Sequence, residues 1–185
     1  MNTIDALVII DIQNDYFPGG KMELAGATEA GAQAGRLLAR FRELGKPVFH
    51  IQHVSIRPGS SFFLPNTPGV EIHPTVAPLA GETVIRKNFP NAFRDTTLQA
   101  QLNRHDAKHL LIAGMMTQMC IDTSVRAGRD LGYEITLAHD ACATRTQKFG
   151  DIEVPATQVQ AAFMAALNGS FATVRETEAI LEALG

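Results

Sequence analysis

Tryptophan is absent from the 185 residues, and tyrosine and cysteine occur only twice each. Two thiols cannot build a disulfide framework, so an apolar core must hold the fold. No apolar run approaches the roughly 20 residues of a membrane span. The formal net charge is only −3, with no block of one sign, which leaves nucleic acid without an electrostatic footprint. A dinucleotide fingerprint is lacking as well: "FPGG", beginning at Phe17, is too short and does not open a helix. The first residues, "MNTIDALVII", carry no basic segment ahead of the apolar run, so no signal peptide is expected. These absences point to a cytoplasmic chain with reduced thiols. Its expected partner is a small-molecule substrate, with neither nucleic acid nor membrane and no cofactor.

What is present is an alternation. The 45% apolar content suffices for one core, so residues 1–185 read as a single domain. "ALVIID" (Ala6 to Asp11) is a continuous apolar run, as in a strand buried on both faces. A helical pattern follows to a glycine stop at Gly45, then the strand "PVFHIQHV". A long stretch broken by proline and glycine leads to a third strand, "TVIRKN", and to a helix with Asp95 as its expected N-cap. Three further strands, "HLLIAG", "EITLAHDA" and "FATVRE", alternate with helices. The pattern predicts an α/β fold, a Rossmann-like three-layer α/β/α sandwich around a six-stranded parallel sheet of order 3-2-1-4-5-6. Ligands in such sheets bind where the strand order reverses, at the carboxyl ends of strands 1 and 4.

Three chemically capable residues fall at strand ends on that rim. Asp11 closes strand 1, Lys87 closes strand 3, and Cys120 begins the helix after strand 4. An unperturbed thiol is only a few per cent thiolate at neutral pH. A helix start and a nearby ammonium are expected to favour the thiolate, and Asp11 to take the thiol proton. Distance is the difficulty. Strand 3 lies two strands from strand 1, roughly 9 to 10 Å away, so Lys87 must reach across strand 2 or the chain must curl inwards.

At these residues the sequence resembles the isochorismatase-like cysteine hydrolases, a superfamily with nicotinamidases, carbamoylsarcosine amidohydrolases and ureide hydrolases. "VIIDIQNDYF" is similar to its aspartate motif, "VIRKNFPNAF" to its lysine motif, and "GMMTQMC" to its G-x-x-T-x-x-C motif; "HDACAT" matches the segment after strand 5. The resemblance implies a nucleophile at Cys120, a proton shuttle at Asp11 and an electrostatic partner at Lys87. It also implies a cis peptide bond between Met115 and Met116, and an oxyanion hole from the N–H groups of Met116 and Cys120. Thr117 is expected to hold this turn. Gln13 either supports the site or only packs its loop. The implied reaction is hydrolysis of a C–N bond in a small amide, ureide or carbamoyl compound through a thioester. Homo-oligomers (dimers, tetramers or larger) are implied as well.

The departures matter. Metal-binding nicotinamidases carry an Asp-x-His pair after strand 2; here "HIQHVS" puts His53 and Ser55 near those positions, with His73 as a distant partner. No metal is expected, and His53 otherwise reads as a pocket or loop residue. Phe17, His53, Phe62 and Phe93 are the candidate pocket walls; Phe63 and Phe89 lie in the same loops, and some of these rings are expected to seal the core or an interface instead. Cys142 reads as structural. Two other functions stay open: a vinyl-ether hydrolase of the isochorismatase type that needs no thiol, and a non-catalytic binding protein of the same shape.

Overall fold

The computed structural model describes residues 4–185. Six parallel strands form the sheet: β1 (Ala6–Ile10), β2 (Val48–His53), β3 (Thr83–Lys87), β4 (His109–Met115), β5 (Glu134–Ala143) and β8 (Thr173–Arg175). Their order is β3-β2-β1-β4-β5-β8. This is the order expected, with the sixth strand renumbered by a short antiparallel hairpin, β6 (Gln147–Phe149) and β7 (Ile152–Val154), that intervenes. The hairpin was not foreseen. Its two strands have only three residues each, too few for a periodicity to register.

All five residues of β1 are buried, which is why the run is apolar at every position. Successive side chains alternate between the faces. Leu7 and Ile9 meet α1 (Ala27–Glu43) and α5 (Thr177–Leu184) through Leu37, Phe41 and Ile180. Ala6, Val8 and Ile10 meet α2 (Leu98–Arg104), α3 (Asp122–Asp130) and α4 (Ala156–Leu167) through Leu102, Val125 and Leu167. Each fully buried leucine contributes about 1.5–3 kcal/mol before ordering costs.

One helix start differs from expectation. Asp95 does not cap α2; it sits in the left-handed region at φ 55, and the helix begins three residues later. The Thr96 hydroxyl takes over, accepting from the Leu98 N–H at 3.3 Å and donating to Ala92 O at 2.6 Å. The long segment between β2 and β3 is irregular, as its prolines require, apart from short 3-10 turns at Pro68–Val70 and Pro74–Val76. Buried Asp15 ties it down: one carboxylate oxygen accepts from Phe63 N at 2.6 Å and the other from Lys21 N at 3.2 Å.

Candidate active site

Asp11 follows β1 with a φ of 53. That left-handed conformation is uncommon outside glycine, though aspartate tolerates it best, and it turns the chain out of the strand. The Asp11 N–H still bonds Ile51 O at 3.0 Å. Across the switch point, β4 comes unusually close. A Cβ on Gly114 would stand 2.0 Å from Ile10 O, and its φ is 140, so only glycine fits there. The first residue of "GMMTQMC" thus lets β4 lie against β1 at the point where Asp11 emerges.

After the cis Met115–Met116 bond the chain makes one π-helical turn, Thr117–Ile121, before α3. Cys120 lies inside that turn. Such turns are rare and concentrate at functional sites. Thr117 anchors it: its hydroxyl lies 2.6 Å from Gln160 Oε1 and 3.2 Å from Ala143 O, and Gln160 in turn donates to His139 O at 2.9 Å. Thr117 therefore fastens the turn to α4 and β5 together.

Lys87 does reach across β2. Its ladder partner is His53, and its stem passes over that residue. The Lys87 Nζ lies 2.6 Å from Asp11 Oδ2, 2.9 Å from His53 Nδ1, 3.1 Å from Phe89 O and 3.2 Å from Cys120 Sγ. An ammonium has three protons, and three of these neighbours are aligned to accept them. The Asp11 contact is the shortest, an ion pair with both side chains fully shielded from solvent, and the Cys120 sulfur lies within 4.8 Å of the same carboxylate.

The electrostatics correct one expectation. Burial pushes the Cys120 thiol well above its ordinary pKa and the Asp11 charge adds to this; Lys87 opposes them without prevailing. The balance of these influences favours the protonated thiol over a preformed thiolate. For Lys87, burial disfavours the ammonium, but the Asp11 carboxylate 2.6 Å away favours it and the pKa is raised. Burial lowers His53, whose ring is neutral beside the lysine. Burial pushes the Cys142 thiol up to about 12, and its partner is the backbone of Gly114.

Asp11, His53 and Cys120 bring their ligand atoms within 4.8 Å of one another, a donor set with metal-like spacing. It does not fit a metal ion. The Lys87 ammonium contacts all three and already stands among them as the cation. His73, the proposed distant ligand, is instead stacked on Phe17 at 3.5 Å between ring centroids and bonded to Thr75.

A cavity of about 550 Å³ opens above Cys120. His53, Met116 and Cys120 lie at its base; Tyr16, Phe62, Phe89, Pro90 and Met119 form apolar walls; Ser55, Arg57 and Ser60 come from the loop after β2. Of the expected pocket residues, His53 and Phe62 line it. Phe17 and Phe93 do not, which corrects that reading: Phe17 is buried under His73, and Phe93 stacks on Tyr133 at 5.8 Å beside α3. Both rings are needed by the packing of their loops. Gln13 sits one layer out, donating to His53 O at 2.9 Å and Val70 O at 2.7 Å while accepting from His53 N at 2.8 Å. It holds the His53 backbone without entering the cavity. Sequence reasoning missed Tyr16, Met119 and Asn88, although the last two adjoin Cys120 and Lys87 and their adjacency was an available signal.

An α/β sheet with a buried cysteine, lysine and aspartate at its switch point defines a class of hydrolytic enzymes, and comparison with known proteins is specific. An isochorismatase domain matches residues 5–179. The chain is 51% identical over 177 residues to the isochorismatase family protein YddQ of Bacillus subtilis, covering 96% of this chain and 98% of that protein. It is 35% identical to streptothricin hydrolase of Streptomyces noursei, covering 76% of this chain but 50% of the other. Nicotinamidase of Escherichia coli is 25% identical over 74% of this chain and 82% of its own. The crystal structure of a protein from Oleispira antarctica, described as an isochorismatase hydrolase, superposes with a TM-score of 0.93 at 46% identity, covering 98% and 99% of the two chains. The chain belongs to the isochorismatase family. It is a hydrolase of that family.

Proposed function

We propose that the protein hydrolyses a C–N bond in a small amide, ureide or carbamoyl compound through a thioester on Cys120. The observation that carries this reading is the Lys87 Nζ, within 3.2 Å of both Asp11 and Cys120 beneath the cavity. As Cys120 Sγ attacks the carbonyl carbon, its proton passes to Asp11, so no thiolate need exist beforehand. Lys87 offsets the negative charge while it resides on sulfur. The tetrahedral oxyanion faces the N–H groups of Met116 and Cys120. The Met116 N–H bonds no backbone carbonyl among the described residues, which leaves it free for this role. Collapse breaks the C–N bond, and Asp11 returns the proton to the departing nitrogen. Water, deprotonated by Asp11, then cleaves the thioester and restores the thiol. Nicotinamidase, a relative by sequence, is named for an amide, which favours this chemistry over vinyl-ether cleavage.

The test is ammonia release across a panel of small amides, ureides and carbamoyl compounds, with mass spectrometry of acid-quenched protein for an acyl group on Cys120. Cys120→Ala should lower kcat/KM by about 10⁴-fold or more. Retained turnover in that variant would remove the thioester, and isochorismate cleavage surviving Cys120→Ser would move the protein to vinyl-ether chemistry.

A further inference from the structure

The cavity is largely apolar, and the one Lys, Arg, Asp or Glu among its lining residues is Arg57. Arg57 lines it directly, on the exposed loop after β2, and its guanidinium has no ion pair or side-chain hydrogen bond among the described residues. Arg94 lies over the Phe89 ring at 3.7 Å, behind one wall of the cavity. Among the described residues, the one carboxylate paired with either guanidinium is Asp95, at 3.6 Å from Arg94, and no acidic side chain lines the cavity. This arrangement runs against the composition, since the chain as a whole is acidic at −3.

Guanidinium groups left unpaired beside an apolar cleft are suited to recognise an oxyanion. A cleft with low-dielectric walls also focuses their field. We infer that the substrate carries an oxyanion group, a carboxylate or a phosphate, on an apolar body at the end away from the scissile amide, and that Arg57 receives it. Cys120 at the base and Arg57 at the lip then fix the two ends of one molecule. The walls between them, Tyr16, Phe62 and Phe89, suit a flat or unsaturated body. Arg57 is a specificity residue in this scheme and takes no part in bond breaking. The inference rests on the amide-hydrolase reading for the nature of the other end, and on the mouth alone for the anion.

Binding separates the two. The Cys120→Ser protein, which cannot form the thioester, is titrated with 4-carbamoylbenzoate, its methyl ester, benzamide and 4-carbamoylphenyl phosphate, followed by NMR line positions. The anionic compounds should bind roughly five- to tenfold more tightly than the neutral pair. That preference should shrink in high salt, collapse in Arg57→Gln and return in Arg57→Lys. Arg36→Gln removes the same charge from the ion pair with Glu178, away from the mouth, and should preserve the preference. Whether carboxylate or phosphate binds more tightly identifies the source of the anion. Neutral compounds binding as well as anionic ones, or a preference that survives Arg57→Gln, would overturn the inference. Amide turnover without anion preference sinks the anion site and leaves the chemistry intact. Anion-selective binding without turnover of any amide does the reverse.

Discussion

Lys87 and Asp11 form an ion pair at 2.6 Å with both side chains completely shielded from solvent. Two charges in such a place cost several kcal/mol each to desolvate, and the pair survives because each compensates the other. Removing one partner should therefore be worse than removing both. Lys87→Met is expected to destabilise the protein by about 3–5 kcal/mol, because it strands a buried carboxylate. The double variant Lys87→Met, Asp11→Asn should regain much of that. Urea unfolding of the two single variants and the double gives the coupling directly, and strictly additive losses would mean the pair is not a unit.

The same two residues pull the thiol in opposite directions. Burial raises the Cys120 pKa, the Asp11 charge raises it further and Lys87 lowers it. Alkylation by iodoacetamide should accordingly be slow at pH 7 and gain speed only in alkali. Asp11→Asn deletes an upward cause, so its rate profile should move to lower pH, while Lys87→Met moves it to higher pH. A faster thiol in Asp11→Asn should coincide with lost turnover, because the proton acceptor is gone. Peptide mass spectrometry against pH reads Cys120 separately from Cys142, and slower alkylation of Cys120 in Asp11→Asn would contradict this ordering.

Gly114 sets how near Cys120 can come to Asp11. A methyl at this position would stand 2.0 Å from Ile10 O and 2.8 Å from its carbonyl carbon, both backbone atoms of a central strand that cannot swing aside. Gly114→Ala should cost more than about 3 kcal/mol, combining overpacking with a positive φ. If the variant folds at all, kcat should fall more than KM rises, since the displaced element carries the nucleophile and not the cavity mouth. Thermal unfolding and steady-state kinetics on one preparation test both parts.

The parts of this site legible in the sequence were those fixed by periodicity and motif. The strand order followed from βαβ alternation, and Asp11, Lys87 and Cys120 could be set on one rim because strand ends are readable. The convergence of Lys87 was not, since it depends on a stem crossing His53 and no spacing rule describes that reach. The fate of Phe17 and Phe93 was hidden for another reason. An aromatic ring in a loop reads the same whether it faces a cavity or a neighbour, and only the tertiary partners, His73 and Tyr133, decide it. The lysine's downward pull on the thiol was legible, but burial, the larger and opposite influence, was not, since it depends on the packing around Cys120.

Glu82 offers a prediction on stability that leaves the chemistry alone. It stands immediately before β3 and binds three partners: Arg42 of α1 at 2.7 and 2.8 Å, His50 of β2 at 2.9 Å, and the N–H of Leu79 at 2.8 Å. Arg42 chiefly holds its carboxyl down, and the pKa falls from 4.5 to about 2. A carboxyl depressed on folding contributes stability that is fully present above its unfolded pKa and is lost as the pH drops through its folded one. The contribution should therefore be complete above about pH 4.5 and vanish near pH 2. Glu82→Gln should cost about 1–3 kcal/mol at pH 7, the range of hydrogen bonds to a charged group. Its unfolding curve in urea should converge on that of the parent between pH 4 and pH 2. Lys87 is five residues further on, at the far end of β3, and keeps all its own partners, so amide turnover at pH 7 should persist in the folded variant. A gap between variant and parent that widened on acidification would mean that Glu82 works through something other than its charge.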